Sequence, residues 1–109
     1  MTMNIQMIET VIFQLAEGAT ETDLAARAQD LEAYFLTFPG YLGRALYKRE
    51  DGNWVDQISW ADQATMEACD AGFRDHPAAA PYMALVKPES VIMHRTPPIF
   101  AKAADLEAA

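Results

Sequence analysis

A chain of 109 residues has room for one domain and one core, and buries roughly two thirds of the surface that its unfolded form exposes. Hydrophobic residues make up 51% of it, which excludes disorder of the whole chain. The 16 acidic and 8 basic residues leave a net charge of −8, which disfavours nucleic acid and anionic membrane surfaces as partners.

Met7 to Leu15 is rich in β-branched and aromatic residues and predicts a first strand, bounded by Gly18. Thr20 is suited to cap a helix, with Asp23 three residues on. Leu24, Ala28, Leu31 and Phe35 share one face of that helix, and Pro39-Gly40 ends it. Tyr41 to Arg49 predicts a second strand, Glu50-Asp51-Gly52-Asn53 a tight turn, and Trp54 to Trp60 a third strand antiparallel to the second. Asp62 is placed to cap a second helix running to about Asp75, with Met66, Cys69 and Phe73 as its buried stripe and His76-Pro77 as its breaker. Pro81 opens a short extra helix through Leu85. Ser90 to Thr96 predicts a fourth strand, stopped by Pro97-Pro98.

The order is β-α-β-β-α-β, the ferredoxin-like α+β arrangement: a four-stranded antiparallel sheet with two main helices on one face. The whole of 1–109 reads as one such domain, with its core over about 7–96 and a C-terminal tail over 97–109. The strands are apolar on both parities. Val11, Phe13 and Leu15 point one way and Ile8 and Ile12 the other; Trp54, Ile58 and Trp60 oppose Val55; Val91 and Met93 oppose Ile92. Two helices cover one face only, so the second face predicts a homodimer related by a twofold axis. The alternative is a monomer whose extra helix and tail cover that face.

The lone Cys69 excludes an internal disulfide and fits a reducing compartment. Met1 to Met7 has no secretory leader pattern, and no apolar run approaches the roughly 18 residues that span a bilayer. A cytoplasmic location is the expectation.

The strand TVIFQL, the stretch Phe38-Pro39-Gly40-Tyr41-Leu42 leading to Arg44, and Asp51 to Asp56 leading into Ser59-Trp60-Ala61-Asp62 carry a resemblance, with Phe73 to Pro77 and Ser90-Val91 following at the usual distances. Over about residues 7–96 the chain resembles the antibiotic biosynthesis monooxygenase-like family of the dimeric α/β-barrel superfamily. The resemblance implies a dimeric α/β barrel. It points to cofactor-independent oxygenases acting on polyphenols, haem-degrading enzymes, isomerases and members without a known role. The haem-degrading branch uses a Trp on the second helix, a His near that helix's end and an Asn on the first strand. Here Cys69 lies about where the Trp would be, Met7–Leu15 holds no Asn, and His76 precedes a proline. Haem degradation is therefore ranked last, and no cofactor is expected.

The candidate site residues each carry two readings. Trp60, at the end of the third strand, is either a core aromatic at a strand-helix corner or a flat wall for an aromatic substrate. His76 is either a polar cap at a helix end or a general base at a pocket rim. His94 shares its strand face with Ile92 and is either a satisfied interior histidine or a ligand-facing one. Asp56 is a carboxylate in the apolar row of Trp54, Ile58 and Trp60, so it needs a partner, and Arg44 on the neighbouring strand is the candidate. That pair is either a structural ion pair or a holder for a phenolate or carboxylate. Tyr47 is an alternative to Arg44 as a pocket residue, because three positions apart on a regular strand they face opposite sides. There is no zinc spacing, no phosphate loop, and His76 and His94 are isolated, so no metal site is expected.

The leading function is a small-molecule-binding dimer like the cofactor-independent monooxygenases, taking an aromatic or polyketide-like substrate between helices and sheet. The competing function is a dimer without turnover. A sizeable pocket with convergent polar groups favours the first; a closed core packed by Phe13, Phe35 and Trp60 favours the second.

Overall fold

The computed structural model describes residues 4–102. The strands are β1 (Met7–Phe13), β2 (Tyr41–Lys48), β3 (Trp54–Trp60) and β4 (Ile92–Thr96); the helices are α1 (Glu21–Phe35), α2 (Gln63–Phe73) and the short α3 (Ala79–Met83). They form one antiparallel sheet in the order β2-β3-β1-β4. This is the ferredoxin-like arrangement that the element order implies, with the sheet open at β2 and β4.

The capping residues act as their chemistry predicts. Thr20 Oγ1 accepts from Asp23 N–H at 3.1 Å, and Asp62 Oδ1 accepts from Thr65 N–H at 2.7 Å. Both satisfy an orphan donor of a first helical turn. The β2–β3 hairpin closes at Gly52, whose φ of 89° lies in the region where side chains are strained. Gly40 has a different reason. A Cβ there would sit 2.6 Å from Thr65 Oγ1, so only glycine lets the chain enter β2 this close to α2.

The element ends differ from the sequence expectation at several points. β1 stops at Phe13 rather than Leu15, because the N–H of Gln14 turns to Ser90 Oγ at 2.8 Å and Leu15 pairs in isolation with Val86. β4 starts at Ile92 rather than Ser90, because Pro88–Ser90 winds a 3-10 turn. α2 ends at Phe73, two residues before Asp75, β2 ends at Lys48, and α3 begins at Ala79, ahead of Pro81. Pro81 lies in the first turn of α3, where a missing N–H leaves no bond unmade.

One face of the sheet carries the core. Met7, Phe13, Ile58 and Trp60 pack there against Leu24, Leu31 and Phe35 of α1, Met66 and Cys69 of α2, and Tyr82 of α3, all buried. α3 thus joins α1 and α2 on the covered face. The opposite face holds Ile8, Thr10 and Ile12 of β1, opposite Thr96, His94 and Ile92 of β4. Ile92 is 53% exposed, and Ile99 and Phe100 beyond β4 lie in solvent. Among the described residues, neither α3 nor the start of the tail covers this face, which removes that part of the monomer alternative. The tail from 103 onward lies outside the described residues.

Candidate functional site

Between the sheet and the helices lies a cavity of about 120 Å³. Its walls are mostly apolar: Phe13, Phe35, Ile58, Phe73 and Val86 among them, with Met83, Val91 and Met93 where β4 meets α3. Met83 and Met93 are half-exposed and mark the opening. Four side chains of charged type also line it: Glu9, Arg44, Asp56 and Asp70. They belong to two clusters.

The first cluster joins Arg44 of β2, Asp56 of β3 and Tyr82 of α3. Arg44 donates to Asp56 in the bidentate fork, Nε to Oδ1 at 2.8 Å and Nη2 to Oδ2 at 2.7 Å, while Nη1 reaches Ala28 O at 3.0 Å. Tyr82 Oη donates to Asp56 Oδ2 at 2.7 Å. The guanidinium also lies over the Phe35 ring, 4.9 Å from its centroid. Both ion-pair side chains are 7% exposed. Burial alone would loosen the Arg44 proton, but the hydrogen bonds and charge of Asp56 outweigh it and hold Arg44 charged above its ordinary range. Burial first, and then the Asp56 carboxylate, push the Tyr82 phenol well up, so it stays a donor.

The second cluster joins Glu9 of β1, Asp70 of α2 and Arg95 of β4. Glu9 is 3% exposed and faces the helices, in the row of Val11 and Phe13. Arg95 stands opposite it in the β1–β4 register. Arg95 Nε donates to Glu9 Oε2 at 2.9 Å and to Asp70 Oδ2 at 3.1 Å. Its Nη2 lies 2.9 Å from the same Asp70 oxygen. Burial, with the hydrogen bond and charge of Asp70 behind it, raises the Glu9 carboxyl to about 7; Arg95 opposes the shift without cancelling it. That is the value a general acid-base group needs near neutrality.

Of the residues singled out in the sequence, the structure brings Arg44 and Asp56 together at the cavity, as the pairing argument predicts. Tyr47 stands on the other face of the sheet, 44% exposed, with Oη 3.3 Å from Gln57 Oε1. His94, opposite Thr10, is exposed on that same face. Trp60 is fully buried between Phe35 and Tyr41 and walls the core rather than the cavity. Its Nε1 is a buried donor without a hydrogen-bond partner among the described residues. His76 also lies outside the cavity lining: Nδ1 accepts from Ala78 N–H at 3.1 Å, and the ring rests 5.0 Å from that of Tyr34. Cys69 is buried, and burial pushes its thiol up to about 12, so it is a small apolar residue here.

Sequence reasoning missed Glu9, Asp70, Arg95 and Tyr82. The signal for Glu9 was present: it is a carboxylate in an apolar strand row, the same pattern that marked Asp56. Among the described residues, no three or more His, Cys, Asp or Glu side chains converge as a metal-ligand set. No helix among them is long and apolar enough to cross a membrane.

No protein-family model and no curated protein matches the sequence. Solved structures do match. SnoaB, a cofactor-independent oxygenase from Streptomyces nogalater, superposes with a TM-score of 0.68 at 16% identity, over 94% of this chain and 98% of that one. A protein from Chloroflexus aurantiacus described as "putative Antibiotic biosynthesis monooxygenase" superposes with a TM-score of 0.59 at 14% identity, over 89% and 97%. This chain shares their fold, the ferredoxin-like α+β arrangement. A dimeric ferredoxin-like protein from an uncultured marine organism shares it, with a TM-score of 0.65 at 7% identity, over 94% and 95%. At these identities the likeness is one of backbone, and function rests on the side chains in the cavity.

Proposed function

We propose that the chain is a homodimer that binds a small aromatic molecule in the helix-side cavity and oxidises it with molecular oxygen, without a cofactor. The observation that carries this reading is the cavity itself: an apolar chamber into which a buried, near-neutral carboxyl projects. Its size suits one ring, being close to that of the engineered apolar cavity of about 150 Å³ that holds benzene. A larger polyketide-like molecule would seat one ring and leave the rest at the Met83–Met93 opening. In this chemistry an activated ring methylene loses two hydrogens and gains one oxygen as a carbonyl. The second oxygen atom leaves as water, and the substrate supplies every electron. The described cofactor-independent activity of SnoaB supports this reading. Arg44 shapes the chamber, since its bidentate pairing with Asp56 balances its charge and its bond to Ala28 O fixes its position.

The dimer part rests on the helix-free face, where Ile8, Ile12, Tyr47 and Ile92 lie uncovered or only partly buried. The dimeric description of the marine neighbour supports it.

The test is a cavity-filling variant, Val86→Phe, titrated calorimetrically with 2-indanone, a compact aromatic ketone with activated methylenes. Binding to the wild type, and its loss in a variant that still unfolds cooperatively, is the expected result. Equal affinity in both proteins contradicts the site. Binding without oxygen consumption, across a panel of such compounds, would favour the non-catalytic dimer.

A further inference from the structure

Glu9 lines the internal cavity, and Arg95 lines a separate surface groove formed by Gln6, Met7, Gln63 and Glu67. Asp70 lines both. The three side chains are linked by the Arg95 hydrogen bonds, from Glu9 at 3% exposed to Asp70 at 32% and Arg95 at 43%. The cluster therefore stands between the mostly apolar chamber and the surface groove, and exposure rises stepwise across it. One cation serves two carboxyl groups, so the cluster has room for one further proton. The remaining charged and titratable groups around Glu9 are committed elsewhere. Arg44, Asp56 and Tyr82 across the cavity satisfy one another, and Cys69 on α2 keeps its proton. Glu67 faces the groove.

We propose that Glu9, Asp70 and Arg95 form a proton relay, in which Glu9 takes a proton from the cavity-bound ligand, Asp70 delivers it to groove water, and Arg95 holds the two carboxyls in register. The proposal rests on the ligand-binding reading above and names the acid-base residues of that site. In the step, a ligand C–H or O–H bond breaks, its electron pair stays on the ligand as carbanion or phenolate, and an O–H bond forms on Glu9. The proton then moves to Asp70 and on to water, which restores the Glu9 carboxylate. Arg95 stays protonated throughout and is a positioning residue.

The relay predicts exchange with solvent even without oxygen. In anaerobic D₂O, the wild type should exchange the methylene protons of 2-indanone for deuterium, followed by NMR, faster as pH rises through about 7. Glu9→Gln should bind the ketone and exchange it about 10²–10⁴-fold more slowly. Asp70→Asn removes a negative charge beside Glu9 and should move the pH profile down; Arg95→Gln removes the cation and should move it up; Arg95→Lys should restore much of the wild-type profile. Bound ketone with no exchange, or exchange unaltered in Glu9→Gln, overturns the relay and leaves the binding site standing. Carbon-detected titration of the Glu9 carboxyl in the ligand-free protein tests the charge coupling that the relay requires, independently of any ligand. Opposite displacements in Asp70→Asn and Arg95→Gln support the relay, and an unmoved midpoint in both overturns it.

Discussion

Two ionic clusters line one cavity, and they are built on different charge arithmetic. In Arg44–Asp56–Tyr82 one cation meets one anion, a neutral hydroxyl fills the remaining acceptor position, and both charged side chains are sealed from water. In Glu9–Asp70–Arg95 one cation meets two acids, and the cation is half in solvent. The first is balanced in charge and hydrogen-bonded throughout, and acts as a fixed part of the wall. The second is short of one positive charge, and burial first, with Asp70 behind it, raises its buried Glu9 carboxyl to about 7. Burial of charge alone does not make a reactive site. The imbalance, together with a path to water, is what distinguishes the second cluster from the first.

The largest expected effect lies in the balanced cluster. Asp56→Leu strands the Arg44 charge in the core and should cost about 3–5 kcal/mol in urea unfolding, while the pair Arg44→Met with Asp56→Leu should recover most of it. A loss below about 1 kcal/mol in the single variant would show that Arg44 reaches water.

In the unbalanced cluster the effect is one of pH. Glu9 binds its proton at about 7 in the folded protein against 4.5 as the ordinary value. The folded state therefore holds more protons between those limits, and stability is lost as pH rises from 4.5 through 7. The loss is at most about 3 kcal/mol. Glu9→Gln should flatten this slope and be the more stable protein at pH 8. Parallel stability curves for the two proteins would remove Glu9 as the titrating group.

Tyr82→Phe removes one hydrogen bond to a charged acceptor and should cost about 1.5–2 kcal/mol, with the cavity otherwise unchanged. Equal thermal stability would mean that water replaces the hydroxyl. A control lies outside both clusters. Ile92→Glu on the helix-free face should weaken self-association by about tenfold or more, read by sedimentation from twice the 12.1 kDa chain mass toward one. It should leave ligand binding in the cavity intact. An unaltered dimer would place the interface elsewhere.

The Arg44–Asp56 pair of the balanced cluster was legible in the sequence because Asp56 interrupts an apolar row and the Asp51-Gly52 hairpin puts Arg44 on the adjacent strand. The caps at Thr20 and Asp62 were legible because their chemistry is local. The unbalanced cluster was hidden for a geometric reason. Arg95 faces Glu9 only through the β1–β4 register, and that register depends on the Pro88–Ser90 turn and on Ser90 capturing Gln14. Tyr82 reaches Asp56 only because α3 folds onto the covered face, a tertiary outcome that its five residues do not signal. His76 attracted attention as a titratable residue at a helix end. Its position there is set by its bond to Ala78, beside Tyr34 and away from the cavity lining.

The cavity is the proposed ligand site, and methyl NMR of the labelled protein with 2-indanone tests it most directly. Val11, Val86 and Val91 line the chamber, while Ile8, Ile12 and Ile92 lie on the helix-free face. Saturable shifts are expected in the three valines, with the three isoleucines unmoved. Shifts confined to the isoleucines, or none in the valines, would contradict that site.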